Sequence, residues 1–283
     1  MNQNTCLITG ATSGIGMAAA LAMGKKGYRL ILVGRNEKKA ARVGDEIARK
    51  AKNRNVLYYI CDLSVLQDVR GLADRIKGNC DRIDVLVNNA GARFLRHQVT
   101  KEGIELTLAT NHLGHFVLTL SLIEALRNSG KARVINVSSG AHNAGTGVIE
   151  NILSPKDYDG RKQYSNSKLA NVLFTYALAE KLKGSGIAVN AVDPGGVATN
   201  FARNNGLWHW VKHRIYYLKK RQLLTPAQGA ETVVYLASSD DVMGITGRYF
   251  VDKKERRSSE LSYDRAIQED LWASSVRLCG IDL

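Results

Sequence analysis

The strongest constraint on the fold is an alternation that runs nearly the whole length of the chain. Short apolar runs at 6–9, 28–33, 55–60, 85–87, 134–137, 187–192 and 247–251 read as strands. Between them lie helical stretches at 17–23, 37–52, 65–76, 103–126, a run that begins near Tyr164, and 227–237; a last helix is expected around 259–278. The strand runs are continuously apolar and rich in β-branched residues, so both of their faces must be covered. Alternating with helices, they predict an α/β fold: one doubly wound domain over 1–283, with a central parallel sheet of about seven strands and helices on both faces. No linker, low-complexity segment or internal repeat interrupts the pattern. Ligands of such sheets bind beyond the carboxyl ends of the strands.

The first motif stands at such an end. Gly10-Ala11-Thr12-Ser13-Gly14-Ile15-Gly16 follows the first strand directly and opens onto a helix. Its glycines let the backbone pass close to a ligand, while the free N–H groups and dipole of the helix N-terminus favour a pyrophosphate. The spacing is GxxxGxG rather than the commoner GxGxxG, but its place after the first strand marks a nucleotide-binding turn. At the end of the second strand, a carboxylate would hold the adenosine ribose and repel a 2′-phosphate. This chain has Gly34-Arg35-Asn36 there, so Arg35 can pair with that phosphate, and Thr12 and Ser13 can add hydroxyl donors. Residues 25–52 carry ten basic and three acidic residues. A solvated helix face accounts for most of these charges, though not for Arg35, and the cofactor expected is NADP(H).

Charge alone is less discriminating. Lys+Arg of 40 against Asp+Glu of 26 gives +14, which suits phosphorylated cofactors, nucleic acid or an anionic membrane surface without choosing among them. Cys6, Cys61, Cys80 and Cys279 are widely spaced with no CxxC pair, as expected of free thiols in a reducing compartment. No apolar run approaches the ~20 residues of a spanning helix, and the first strand is reached by Thr5. A cytoplasmic location is the expectation.

Tyr164-Ser165-Asn166-Ser167-Lys168 leads an apolar helix in which Leu169, Val172 and Leu173 recur at helical spacing. A helix rises ~1.5 Å per residue, so Tyr164 and Lys168 share one face, one turn apart. A phenol titrates near ~10 in water; a neighbouring ammonium stabilises the phenolate and draws it toward the range useful for proton transfer. Alone, the pair would read as a surface tyrosine beside a solvated lysine. With the other motifs in order around it, it reads as catalytic.

Thr9-Gly10-x-x-x-Gly14-x-Gly16, Asp62-Leu63, Asn88-Asn89-Ala90-Gly91, Asn111, Ser138-Ser139, Tyr164-x-x-x-Lys168 and Pro194-Gly195 together resemble the short-chain dehydrogenase/reductase family from about residue 4 to 252. Asn111-His112-Leu113-Gly114-His115-Phe116, the run from Ser167 to Phe174 and Thr246-Gly247-Arg248-Tyr249-Phe250 are most similar to its retinol dehydrogenase branch. The resemblance implies a Rossmann-type fold with dinucleotide motifs mainly in 5–95 and the catalytic and substrate part in 100–283. Gly10, Thr12, Ser13, Gly14, Ile15 and Gly16 would line the dinucleotide, with Arg35 and Asn36 at its adenosine end. Asp62 and Leu63 would flank the adenine, and Asn89, Ala90 and Gly91 would wall the riboses. Tyr164 would be the acid/base; Lys168 would hold the nicotinamide ribose and lower the tyrosine pKa. Ser139 would hydrogen-bond the substrate oxygen, while Ser138 would line the nicotinamide pocket. Asn111 would hold a water linking Lys168 to solvent. Pro194, Gly195, Val197 and Thr199 would cradle the nicotinamide.

The implied activity is an NADP(H)-dependent interconversion of an alcohol with an aldehyde or ketone, on an apolar substrate such as a retinoid, steroid or lipid aldehyde. The alternative is a non-catalytic dinucleotide-binding regulator on the same fold. A homodimer or homotetramer through the 103–126 and Tyr164 helices is implied as well. Residues 140–163, with Pro155, Asp157 and Asp159, read as an added loop near the substrate mouth.

Other features weigh less. His112 and His115, and His209 and His213, have spacings that could serve a metal, but no third ligand is evident and packing or solvation is the simpler reading. Residues 253–257 read as a solvated link to the last helix. Nucleic-acid binding has only net charge in its favour. A lid is expected at about 195–225, where 201–225 carries Arg203, Lys212, Arg214, Lys219, Lys220 and Arg221 without an acid. Leu207, Trp208, Val211, Ile215 and Leu218 give it an apolar face. That face covers the substrate in the simpler reading; in the sharper one it also rests on an anionic membrane.

Overall fold

The structure, a computed structural model, describes residues 3–155, 157–198, 201, 205–206, 211 and 223–283. β1 (Thr5–Thr9) is buried along its whole length, as the apolar run requires of a central strand. It pairs in parallel with β2 (Arg29–Gly34) on one side and β4 (Val85–Asn88) on the other. β3 (Val56–Ile60) lies outside β2, with Leu57 and Tyr58 facing solvent from the edge. Beyond β4 follow β5 (Arg133–Val137), β6 (Ala188–Asp193) and β7 (Arg248–Val251), all parallel. The order is β3-β2-β1-β4-β5-β6-β7-β8. The switch point falls between β1 and β4, where a crevice opens at the carboxyl ends of the strands.

The eighth strand corrects the expected count. β8 (Lys254–Arg256) pairs antiparallel with β7, so 253–257 is not a mere link. Asp252 and Lys253, both with positive φ, make the tight reversal that matches strand twist. The sequence hid it because neither residue is the glycine or asparagine that usually marks such a turn. The strand is charged and fully exposed, which protects an open sheet edge from further pairing.

Helices cover both faces. α1 (Gly14–Lys25), α2 (Glu37–Ala51) and, late in the chain, Pro226–Ser238 close one core, with Met23, Leu32, Ile47, Val233 and Leu236 buried in it. α3 (Leu66–Lys77) packs on the other face. The stretch expected as one helix over 103–126 is divided: α4 (Leu106–Leu108), a π-helical turn at Ala109–Leu113, α5 (Gly114–Ser121) and α6 (Ile123–Arg127). The 140–163 segment is not wholly a loop either. It holds a 3₁₀ turn at Gly140–Ala144 and α7 (Ile149–Leu153) before α8 (Gly160–Lys181) begins, capped by Asp159. Numbered in order, α9 is Pro226–Ser238, started by a Thr225–Gln228 capping box, and α10 is Arg265–Cys279, capped by Asp264.

α10 decides what surface remains on α5 and α8. Trp272 sets its ring against Phe116 (centroids 5.1 Å) and Phe174 (6.1 Å), and His112 hydrogen-bonds Ser275 Oγ at 3.0 Å. The face expected to meet a second copy is therefore covered from within the chain. Among the described residues no helix is long and apolar enough to cross a membrane. Most of 201–225 lies outside the described residues, and with it Lys219, Lys220, Arg221, His209 and His213.

Candidate active site

A cavity of about 510 Å³ opens at the switch point, lined by the Gly10–Gly16 turn, Gly34, Arg35, Asn36 and the Asn89–Ala92 segment. Its floor depends on a close approach of backbones. A Cβ on Gly16 would fall 2.5 Å from both Gly10 O and Asn89 Nδ2, so only glycine lets α1 begin this near the turn. Ser13, the N-cap of α1, makes no side-chain capping bond, and the first turn carries no acid. The N–H groups of the first turn thus have neither a side-chain cap nor an acid from this helix. Asn89 Nδ2 bonds Thr9 O at 2.7 Å, and Thr9 Oγ1 accepts from the amides of Asn89 and Ala90, both at 2.9 Å. These bonds stitch the end of β4 to the end of β1.

At the adenosine end, Arg35 is exposed and makes no ion pair among the described residues. Asn36 Oδ1 caps α2 by accepting from Lys39 N at 2.9 Å. Lys39, in the first turn of α2, also lines the cavity and is a second cation at this end. The sequence reading passed over it among the charges of a solvated helix, although its place three residues after Asn36 was a usable signal. Leu63 lines the cavity with Cys61, whereas Asp62 Oδ1 accepts from Ser64 N at 3.0 Å and Ser64 Oγ at 2.8 Å.

The other expected residues gather where α8 packs beside β5 and β6. Lys168 is 3% exposed and donates to Val137 O at 3.0 Å, with Nζ 5.7 Å from the Tyr164 ring centroid. Ser138 Oγ donates to Lys168 O at 2.8 Å, and Ser139 Oγ, next along, accepts from Ala141 N at 3.2 Å. Asn111 sits in the π-helical turn. Its Oδ1 accepts from Ala92 N at 2.7 Å, while Nδ2 donates to Ala92 O and Ser167 Oγ at 2.9 Å. Gly91 lies against both groups: a Cβ there would stand at an ordinary contact distance, 3.4 Å, from Asn111 Oδ1 and from Lys168 Nζ. Pro194, Gly195 and Val197 form a strap held by paired backbone bonds between 196–198 and Leu224, with Asp193 Oδ1 accepting from Gly195 N at 2.9 Å. Thr199 lies outside the described residues.

Tyr164 has two further neighbours, Phe201 from the stretch expected as a lid and Arg93, which was not anticipated. Phe201 lies with its ring centroid 5.1 Å from that of Tyr164, and it lines the cavity. The Arg93 guanidinium lies 6.0 Å from the Tyr164 centroid and 5.7 Å from that of Phe201. Neither residue belongs to a motif; each reaches the site from a loop.

Burial lowers the Lys168 ammonium from 10.5 to about 8, with Asp193 opposing the shift. Below pH 8 the folded protein therefore bears the full cost of burying the charge. Between about pH 8 and 10.5 the unfolded chain binds more protons than the folded one, so stability from this group rises with pH. Lys168→Met should exceed wild type in stability below pH 8, by a margin that narrows across that window. Urea titrations at both ends check this; a constant margin would mean that the ammonium is hydrated.

A glycine-walled crevice with an open helix terminus, beside a tyrosine and a buried lysine one turn apart, suits a dinucleotide and a proton transfer. The family model described as short chain dehydrogenase matches residues 4–210. Retinol dehydrogenase 13 of Homo sapiens is 34% identical over 284 residues, covering 98% of this chain and 85% of its own. Among solved structures, a protein from Mycobacterium paratuberculosis aligns with a TM-score of 0.79 and 29% identity, over 99% of this chain and 94% of its own. A short-chain dehydrogenase from Shigella flexneri 2a complexed with NADP gives 0.67 and 26%, over 88% and 97%. The chain belongs to the short-chain dehydrogenase family. Within that family of oxidoreductases it stands in the retinol dehydrogenase-like branch.

Proposed function

We propose that the protein is an NADP(H)-dependent oxidoreductase that interconverts an alcohol with an aldehyde or ketone, with Tyr164 as general acid/base. The observation that carries this reading is the buried Lys168 ammonium 5.7 Å from the Tyr164 ring, at the end of the crevice. The glycine cradle and open α1 terminus hold the pyrophosphate, and Arg35 and Lys39 face the 2′-phosphate. The bound nicotinamide supplies or accepts the hydride. Tyr164 gives the substrate oxygen its proton, or takes it, while the Lys168 charge stabilises the phenolate. Ser139 orients the substrate oxygen, and Asn111 ties the Ala92 segment to Ser167, the residue before Lys168. Phe201 beside Tyr164 supports an apolar substrate of the retinoid, steroid or lipid-aldehyde kind. A homodimer or homotetramer through the 103–126 and Tyr164 helices would have to accommodate α10, which packs on the same helices.

Absorbance of the reduced nicotinamide, followed with a panel of apolar aldehydes and alcohols, tests the reading. Oxidation of NADPH by at least one carbonyl is expected; tight NADPH binding with no turnover on any would favour a dinucleotide-binding regulator. For the cofactor, Arg35→Ala should lose a charge-assisted contact of about 1.5–3 kcal/mol with NADPH and leave NADH affinity nearly unchanged. Equal losses for both cofactors would refute the role given to Arg35.

A further inference from the structure

We infer that His115 is a positioning residue, which ties the dinucleotide cradle to the turn bearing Asn111 through a hydrogen-bond chain of one fixed polarity. His115 is 2% exposed, on the first turn of α5. Its Nδ1 stands 3.1 Å from the main-chain oxygen of Asn111, and its Nε2 stands 2.9 Å from Thr9 Oγ1. A carbonyl can only accept, so Nδ1 carries the proton and Nε2 is left as an acceptor. Thr9 Oγ1 must then donate to Nε2. This agrees with its other contacts, because that oxygen already accepts from the amides of Asn89 and Ala90. The same hydroxyl stands 3.4 Å from Val87 O, a longer and weaker contact than the 2.9 Å to Nε2, so its one proton lies on the Nε2 side and the imidazole has a partner at each nitrogen.

The two ends of this chain are separate parts of the proposed chemistry. At one end, Asn89 and Ala90 form the cavity wall. At the other, Asn111 holds Ala92 and Ser167, and Ser167 Oγ donates to Tyr164 O at 2.8 Å. The π-helical turn, in which Gly114 N–H reaches back to Ala109 O, breaks the ordinary helical bonding and gives the Asn111 carbonyl its place beside the imidazole. Burial draws His115 down to about 3, so the ring stays neutral and the polarity holds throughout the physiological range.

The inference rests on the dehydrogenase reading, and its test separates the two. Asparagine at 115 can offer an N–H where Nδ1 stands, and glutamine an acceptor where Nε2 stands; phenylalanine fills the volume with neither. NADPH dissociation constants from nucleotide fluorescence, kcat on the best carbonyl of the panel, and melting temperature are measured for wild type, His115→Phe, His115→Asn, His115→Gln and Thr9→Val. His115→Phe should lower kcat tenfold or more and weaken NADPH several-fold. His115→Asn should recover mainly kcat; His115→Gln should recover mainly NADPH affinity, and Thr9→Val should weaken NADPH as His115→Phe does. Variants that change only the melting temperature, or no partial rescue by Asn or Gln, would overturn the inference. A wild type that neither binds NADPH nor turns over would overturn the dehydrogenase reading instead.

Discussion

Replacing Tyr164 by phenylalanine is expected to lower turnover by about 10²–10⁴-fold while NADPH affinity stays close to wild type. Phenylalanine keeps the ring that packs on Phe201 and lies beside Arg93; only the hydroxyl is lost. The cofactor cradle is built from other segments, chiefly the Gly10–Gly16 turn and the Asn89–Ala92 wall. Binding and chemistry should therefore separate cleanly. A steady-state kcat beside a directly measured NADPH dissociation constant checks this. Turnover within a few-fold of wild type would place the proton donor elsewhere and remove the reason for reading the buried Lys168 as its partner.

The second large effect concerns stability. Trp272→Ala should destabilise the fold by about 3–5 kcal/mol, the range for deleting a buried aromatic. Trp272 is 6% exposed, packs on Phe116 and Phe174, donates Nε1–H to Asp282 Oδ1 at 3.0 Å, and has the Lys181 ammonium 4.7 Å from its ring centroid. Against a typical total of about 5–15 kcal/mol, such a loss is severe, and the melting temperature should fall on the order of 10 °C. Trp272→Phe, which keeps the stack and loses the indole donor, should cost much less. Because α10 braces α8, which bears Tyr164 and Lys168, activity near the melting transition should fall with the fold. Urea midpoints of the three proteins decide it: a loss below 1 kcal/mol for the alanine variant would mean that α10 is not docked as described.

Much of the site was legible in advance because its motifs are local. The Gly10–Gly16 turn is contiguous, Tyr164 and Lys168 are one helical turn apart, and an apolar run long enough for a strand needs no distant information to be read as one. Their order along the chain also implied a parallel sheet with its ligand at the carboxyl ends of the strands, while the β1–β4 switch point came from the strand order of the folded sheet. Asn89, Gly91 and Leu63 accordingly fall on or beside the crevice where their motifs predict.

The remainder was decided by contacts between residues far apart in sequence. β8 forms because Asp252 and Lys253 accept positive φ in exchange for pairing with β7, which no local preference announces. α10 covers α5 and α8 through aromatic rings that come from three separate helices. Phe201 and Arg93 reach Tyr164 from loops, and Lys39 lines the cavity from the first turn of α2. His115 looked like packing because its meaning lies in two partners, Thr9 and Asn111, of which one is 106 residues away. Local spacing determines which side chains share a turn. Only the folded chain, by burying polar groups that must then find partners, determines which of them meet across the sheet and which way each proton points.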